Sequence, residues 1–150
     1  MPDIAPEVVL AFDFGLRRIG IAIGDTLTAR ARPLTALHIQ NELREADWRR
    51  IDALLVEHGA RRSVVGCPYN VDGSAHALTE RAREFAAALA QRTQLPIHLV
   101  DERYSSLEAQ EALRERRVTG QRRARIDRES IDSAAAAVIL ERWFAGEGER

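Results

Sequence analysis

The chain has no lysine, a single cysteine and few aromatic residues, which make up 5% of its 150 positions. One cysteine excludes an internal disulfide and a thiolate metal cluster. Cys67, in the apolar context Val64-Val65-Gly66-Cys67-Pro68, is expected in the core. No apolar run approaches the ~20 residues that cross a bilayer as a helix. Met1-Pro2-Asp3-Ile4-Ala5-Pro6-Glu7 lacks the basic-then-apolar order of a signal peptide, so a cytoplasmic location without membrane contact is expected. With 45% hydrophobic residues and so few rings, the core should be aliphatic, and the length suits one domain over residues 1–150. A formal charge of −1 excludes binding of nucleic acid by net charge alone. The basic residues are all arginine, and they are unevenly spread: Arg114 to Arg128 holds seven of them against Glu115 and Asp127.

Val8 to Asp25 (VVLAFDFGLRRIGIAIGD) organises the rest. Val8 to Phe14 has the β-branched, apolar character of a central strand, yet it contains Asp13. An unpaired carboxylate buried there would cost several kcal/mol, so a metal ion, an arginine or backbone N–H groups must compensate it. Gly15 and Gly20 bracket Leu16-Arg17-Arg18-Ile19, after which Ile19, Ile21 and Ile23 alternate with Gly20, Ala22 and Gly24. This predicts a β-hairpin whose second strand has one bulky and one nearly bare face. A bare strand face implies a closely approaching ligand or backbone, or a closely packed helix.

Ala29 to Ile39 predicts a third strand, which Pro33 confines to a sheet edge. Trp48, Ile51, Leu54 and Leu55 recur at helical spacing, so Asp47 to His58 predicts a helix with Asp47 as N-cap and Gly59 as C-cap. Ser63 to Cys67 reads as a strand buried on both faces. A turn at Asp72-Gly73 then leads to Ser74, expected to cap a helix running to about Arg92 with Leu78, Ala82, Phe85 and Leu89 on one stripe. Pro96 to Arg103 predicts a further strand, and Ser105-Ser106-Leu107-Glu108 fits a capping box opening a helix to about Arg117. Ser130 caps a last helix whose apolar stripe of Ala136, Ile139 and Trp143 also carries Asp132.

These elements predict an α/β fold with a five-stranded mixed sheet: the first three strands form an antiparallel meander, and the fourth and fifth lie parallel to the first. Ligands gather at the carboxyl ends of such parallel strands, where Asp13, the Pro68 to Gly73 loop and Glu102 are expected. The segment Val118 to Glu129 is long enough to bring Asp132 back to that edge; alternatively Asp132 is only a first-turn carboxylate favoured by the helix dipole. Clustered carboxylates in a cleft need cations between them, and oxygen-only donors select Mg²⁺ or Mn²⁺. Two such ions can activate water and stabilise the leaving oxygen in phosphodiester hydrolysis. His38, His58, His76 and His98 are scattered and read as surface or core residues, with His98 nearest the expected site.

Ala11-Phe12-Asp13-Phe14-Gly15 with Ile19-Gly20-Ile21-Ala22, Val65-Gly66-Cys67-Pro68 with Asp72-Gly73, Asp101-Glu102-Arg103, and Ile131-Asp132-Ser133-Ala134-Ala135 together resemble the bacterial YqgF (RuvX) family. The resemblance spans nearly the whole chain. It implies a ribonuclease H-like fold, a metal-dependent acidic triad of Asp13, Glu102 and Asp132, and a role in maturing the 5′ end of pre-16S ribosomal RNA, with Holliday-junction resolution proposed for some relatives. Related resolvases use four acidic residues; Asp101 and Asp25 are the candidates for a fourth position. Nucleic acid is the expected partner, structured RNA before branched DNA, with Arg103, Arg122, Arg123 and Arg125 as its contacts. The arginine-rich segment is then a phosphate-holding arm, against the plainer reading of a solvated loop. Asp13-Phe14-Gly15 with Gly20 also resembles the phosphate loop of the sugar-kinase and actin fold, which needs two domains and a longer chain. The remaining alternative is a non-catalytic RNA- or protein-binding module of the same fold.

Overall fold

A computed structural model describes residues 5–69, 72, 74–101 and 128–146. Its strands are β1 (Val8–Phe14), β2 (Arg18–Asp25), β3 (Ala31–His38), β4 (Ala60–Cys67) and β5 (Ile97–Asp101). Its helices are α1 (Glu45–His58), α2 (Ala77–Thr93) and α3 (Arg128–Phe144). The sheet order is β3-β2-β1-β4-β5. β1–β2 and β2–β3 pair antiparallel, while β1–β4 and β4–β5 pair parallel, as the sequence predicts. β3 is the edge strand that Pro33 implies, and its register with β2 slips between Ile21 and Ala22, where Pro33 lies opposite.

Side chains alternate across the sheet with a period of two, so each central strand feeds two cores. Leu10, Phe12, Phe14, Ile19, Ile21 and Ile23 pack with Val65 and Cys67 against Ile51 and Leu55 of α1 and Phe85 and Leu89 of α2. Phe85 is the hub of that layer, with ring centroids 5.7 Å from Phe12, 5.3 Å from Phe14 and 5.6 Å from Trp48. On the other face Val9, Ala11, Ala22, Val64 and Val100 pack against Ala136, Ile139 and Leu140 of α3. The first core holds the phenylalanines; the second mixes alanines with valines, Ile139 and Leu140.

The bare face of β2 is therefore covered by a helix rather than a ligand. A Cβ at Gly20 would lie 2.0 Å from the carbonyl oxygen of Asp132, and one at Gly24 would lie 3.0 Å from Leu140 Cδ2. At Gly20 only a residue without a side chain lets the α3 backbone come so near.

Several element ends differ from the sequence reading. α1 begins at Glu45 with Arg44 as N-cap, so Asp47 is its third residue, and the Asp47 carboxylate accepts the Arg44 backbone N–H at 2.8 Å. Gly59 closes the helix in the left-handed region (φ 63°), as expected. α2 is capped by His76 instead of Ser74: His76 Nδ1 accepts the Leu78 N–H at 3.2 Å, while Ser74 is held by the Asp72 carboxylate at 2.9 Å and 2.6 Å. β4 starts at Ala60, because β1 pairs with it from Val8 onward. α3 starts at Arg128, which puts Ser130 inside the first turn. The helix expected from Ser105 lies outside the described residues. Among the described residues no helix is long and apolar enough to cross a membrane.

The far end of α3 is fixed to β5 by a ring contact between His98 and Trp143, with centroids 4.8 Å apart. His98 Nε2 lies 3.3 Å from Arg62 Nη1, and a guanidinium can only donate, so this nitrogen accepts. Burial, and secondarily the charge of Arg62, hold the His98 pKa below its ordinary 6.5.

Two outcomes follow from this packing. Gly20→Ala should cost about 1–3 kcal/mol in urea denaturation by forcing α3 off the sheet; an unchanged midpoint would mean that the contact yields freely. Because folded His98 resists protonation, the unfolded state binds more protons near pH 6, and stability should fall as pH drops below about 6.5. His98→Gln should flatten the melting temperature between pH 7 and 5.5, and parallel profiles for the two proteins would refute the assignment.

Candidate active site

Asp13 is the sixth residue of β1. Strand alternation puts it on the α3 face with Val9 and Ala11, opposite Phe12 and Phe14. Its cross-strand neighbours are Gly20 of β2 and Gly66 of β4, both glycines. No side chain flanks it on that face from either neighbour, and Asp13 stays half-buried rather than sealed.

Asp132 reaches the same place from the helix. Its backbone rests on Gly20, the residue paired with Asp13, so the N-terminal part of α3 delivers the second carboxylate over the row that holds the first. Arg18 completes the cluster. It begins β2 two residues before Gly20, hence on the same face, and its Nε donates to Asp132 Oδ2 at 2.6 Å. The two side chains keep 21% and 25% of their exposure, so water still reaches the pair.

Of the expected triad, Asp13 and Asp132 are thus brought to one edge. Glu102 lies outside the described residues, as do Arg103, Arg122, Arg123 and Arg125. Asp101 ends β5 opposite Cys67, and its carbonyl accepts from Arg142 Nη1 at 3.1 Å. Asp25 is not a fourth ligand. It pairs with Val8 at the other end of the hairpin, about 16 Å along the strand from Asp13. There its carboxylate holds the following turn, accepting the Thr28 backbone N–H at 2.8 Å. That hydrogen bond lowers its pKa.

His98 is on the α3 face but engaged with Trp143 and Arg62. His38, by contrast, pairs across the strands with Arg18. With Arg17, Arg18, Ile39, Gln40 and Asn41 it lines a cleft of about 630 Å³ beside the carboxylates. The functional sequence reading gave no role to Arg18 or His38. Arg17-Arg18 at the tip of a glycine-bounded hairpin was the available signal, whereas the Arg18–His38 pairing depends on where β3 docks.

A five-stranded mixed sheet with helices on both faces and acidic residues at the carboxyl edge defines a ribonuclease H-like α/β protein. Thermus thermophilus RuvC, solved in complex with a Holliday junction substrate, shares the fold with a TM-score of 0.52 at 20% identity, over 93% of this chain and 94% of that one. The RuvX family model, described as Holliday junction resolvase, matches residues 7–146. A Cronobacter sakazakii protein named "Putative pre-16S rRNA nuclease" is 47% identical over 140 residues, covering 93% of this chain and 97% of its own. A Pectobacterium carotovorum protein of the same name is 45% identical over 138 residues, covering 92% and 95%. The chain belongs to the RuvX family.

About a quarter of each partner in the Arg18–Asp132 pair is exposed, so screening should keep the bond weak and exchangeable. A double-mutant cycle of Arg18→Gln and Asp132→Asn, read by urea denaturation, should give a coupling of about 1 kcal/mol or less. A coupling of about 3 kcal/mol would make the pair a structural lock.

Proposed function

We propose that the chain is a metal-dependent endonuclease that hydrolyses phosphodiester bonds of structured nucleic acid and matures the 5′ end of pre-16S ribosomal RNA in the cytoplasm. The observation that carries this reading is the convergence of Asp13 and Asp132 on Gly20, at the carboxyl end of β1, in a chain of the RuvX family.

The donors there suit a hard divalent cation, Mg²⁺ or Mn²⁺. Both are carboxylates; Cys67 belongs to the opposite core, and His98 is engaged at the far end of α3. Asp13 and Asp132, with Glu102 as the third member, would hold the cation. When bound, it supplies Lewis-acid polarisation of the phosphoryl group and a more acidic water. The chain's own contribution is placement. Asp13 sits near the strand end between Gly20 and Gly66, and the Gly20 contact fixes Asp132 over the same row. Arg18 supplies positive charge at the same point. Arg103, Arg122, Arg123 and Arg125 hold the flanking phosphates, positioning the strand without reading its bases.

The RuvC-like fold supports a second substrate, the four-way DNA junction. One assay separates the readings: Mn²⁺-dependent cleavage of a labelled pre-16S 5′ leader and of a four-way junction, by wild type, Asp13→Asn, Glu102→Gln and Asp132→Asn. Each substitution should lower turnover by roughly 10²-fold or more while the fold persists. The double variants should be little worse than the single ones, because residues of one metal site act as a unit. Junction cleavage without RNA cleavage would replace the substrate. No cleavage of either would leave a binding module. Near wild-type turnover by Asp132→Asn would reduce that residue to a structural partner of Arg18.

A further inference from the structure

On the β2–β3 side of the acidic pair, the cleft of about 630 Å³ lined by Arg17, Arg18, His38, Ile39, Gln40 and Asn41 has a size typical of ligand sites. Among the described residues its lining contains no carboxylate. Positive charge also surrounds it: Arg44 Nη2 donates to Gln40 Oε1 at 2.6 Å, and Arg81 donates to the carbonyl of Asn41. Against a formal charge of −1 for the chain these arginines are a local concentration, with Glu42 and Asp132 at its borders.

The walls are set by backbone. The Ile39 N–H donates to the Arg17 carbonyl at 2.9 Å, and the Asn41 N–H donates to the Leu16 carbonyl at 3.1 Å. These bonds fasten the β1–β2 turn to the segment leaving β3. Arg18 and His38, paired across β2 and β3, both line the cleft. A cleft framed this way has little ordering entropy left to lose when a ligand enters.

Arg18 links the cleft to the carboxylates. It lines the cleft and bonds Asp132, while Arg17 makes no ion pair among the described residues. A guanidinium has five donors in a planar fork, so it can exchange a carboxylate for a phosphate of similar geometry.

We infer that this cleft seats the phosphodiester strand adjoining the phosphate at the acidic pair. Arg17 and Arg18 hold its phosphates, and Arg18 passes from Asp132 to the strand as the strand enters. The inference rests on the nuclease reading. It adds a second stretch of phosphate contacts, on the opposite side of Asp13 from β5, and makes release of Asp132 a consequence of substrate entry.

The test is fluorescence anisotropy of a labelled RNA hairpin with a single-stranded leader, from 50 to 200 mM KCl. Ca²⁺ replaces Mn²⁺ so that the carboxylates carry a cation. Arg17→Gln and Arg18→Gln should each raise Kd and lower the slope of log affinity against log salt by roughly 0.7 to 0.9. The double variant should lower it by about twice that. Arg61→Gln removes the same charge near the start of β4, about 16 Å along that strand from Gly66, and should leave the slope unchanged. If Arg18→Gln fails to fold by circular dichroism, Arg17→Gln, an exposed turn residue, carries the test alone. Wild-type cleavage with an unchanged slope in the Arg17 variant overturns the cleft and spares the nuclease. Wild type that neither binds nor cleaves overturns both.

Discussion

The site depends on the direct seating of α3, at Asp132, on Gly20. Helix backbone at Asp132 meets strand backbone with no side chain between them. One methyl group at that position would need space already filled by the Asp132 carbonyl, and interiors packed like crystals have no slack to provide it. The small-residue face of β2 continues the same logic through Ala22 and Gly24, letting α3 lie close along the strand. The two cores thus divide the labour. The bulky layer around Phe85 buries most of the large side chains, and the thin layer under α3 sets the distance between helix and sheet, and hence the position of Asp132.

Electrostatics completes the arrangement. The first carboxylate stays half-buried near a strand end between two glycines. The second carboxylate arrives with an arginine already attached. Because that pair is partly exposed, solvent screens it, unlike an ion pair sealed in the core. With a near-zero net charge, positive potential is confined to local patches such as Arg17 and Arg18 at the hairpin tip.

Strand direction gives the edge its meaning. β1, β4 and β5 run parallel, so Asp13 and the ends of β4 and β5 share one side of the sheet, while the antiparallel β2 brings Arg18 to that side at its start. Asp25, at the other end of β2, serves a turn instead. The likeness to RuvC is one of fold, and family membership rests on the match to residues 7–146.

By itself the sequence determined the periodicities and the exceptions to them. β-branched runs set the strands, Pro33 set the edge, Asp13 stood out within an apolar run, and Asp132 within an apolar stripe. These signals are local, since each is carried by a few neighbouring residues and a backbone period. Helix starts were less legible: Ser74 competed for a cap that His76 took, because Asp72 held Ser74 first. Only tertiary structure decided that the bare face of β2 receives a helix, that Arg18 is the residue at Asp132, and that His38 faces Arg18 across the strands. Those outcomes are contacts between residues up to 114 positions apart. Their existence depends on register and docking distance, which arise from the whole core rather than from any one segment.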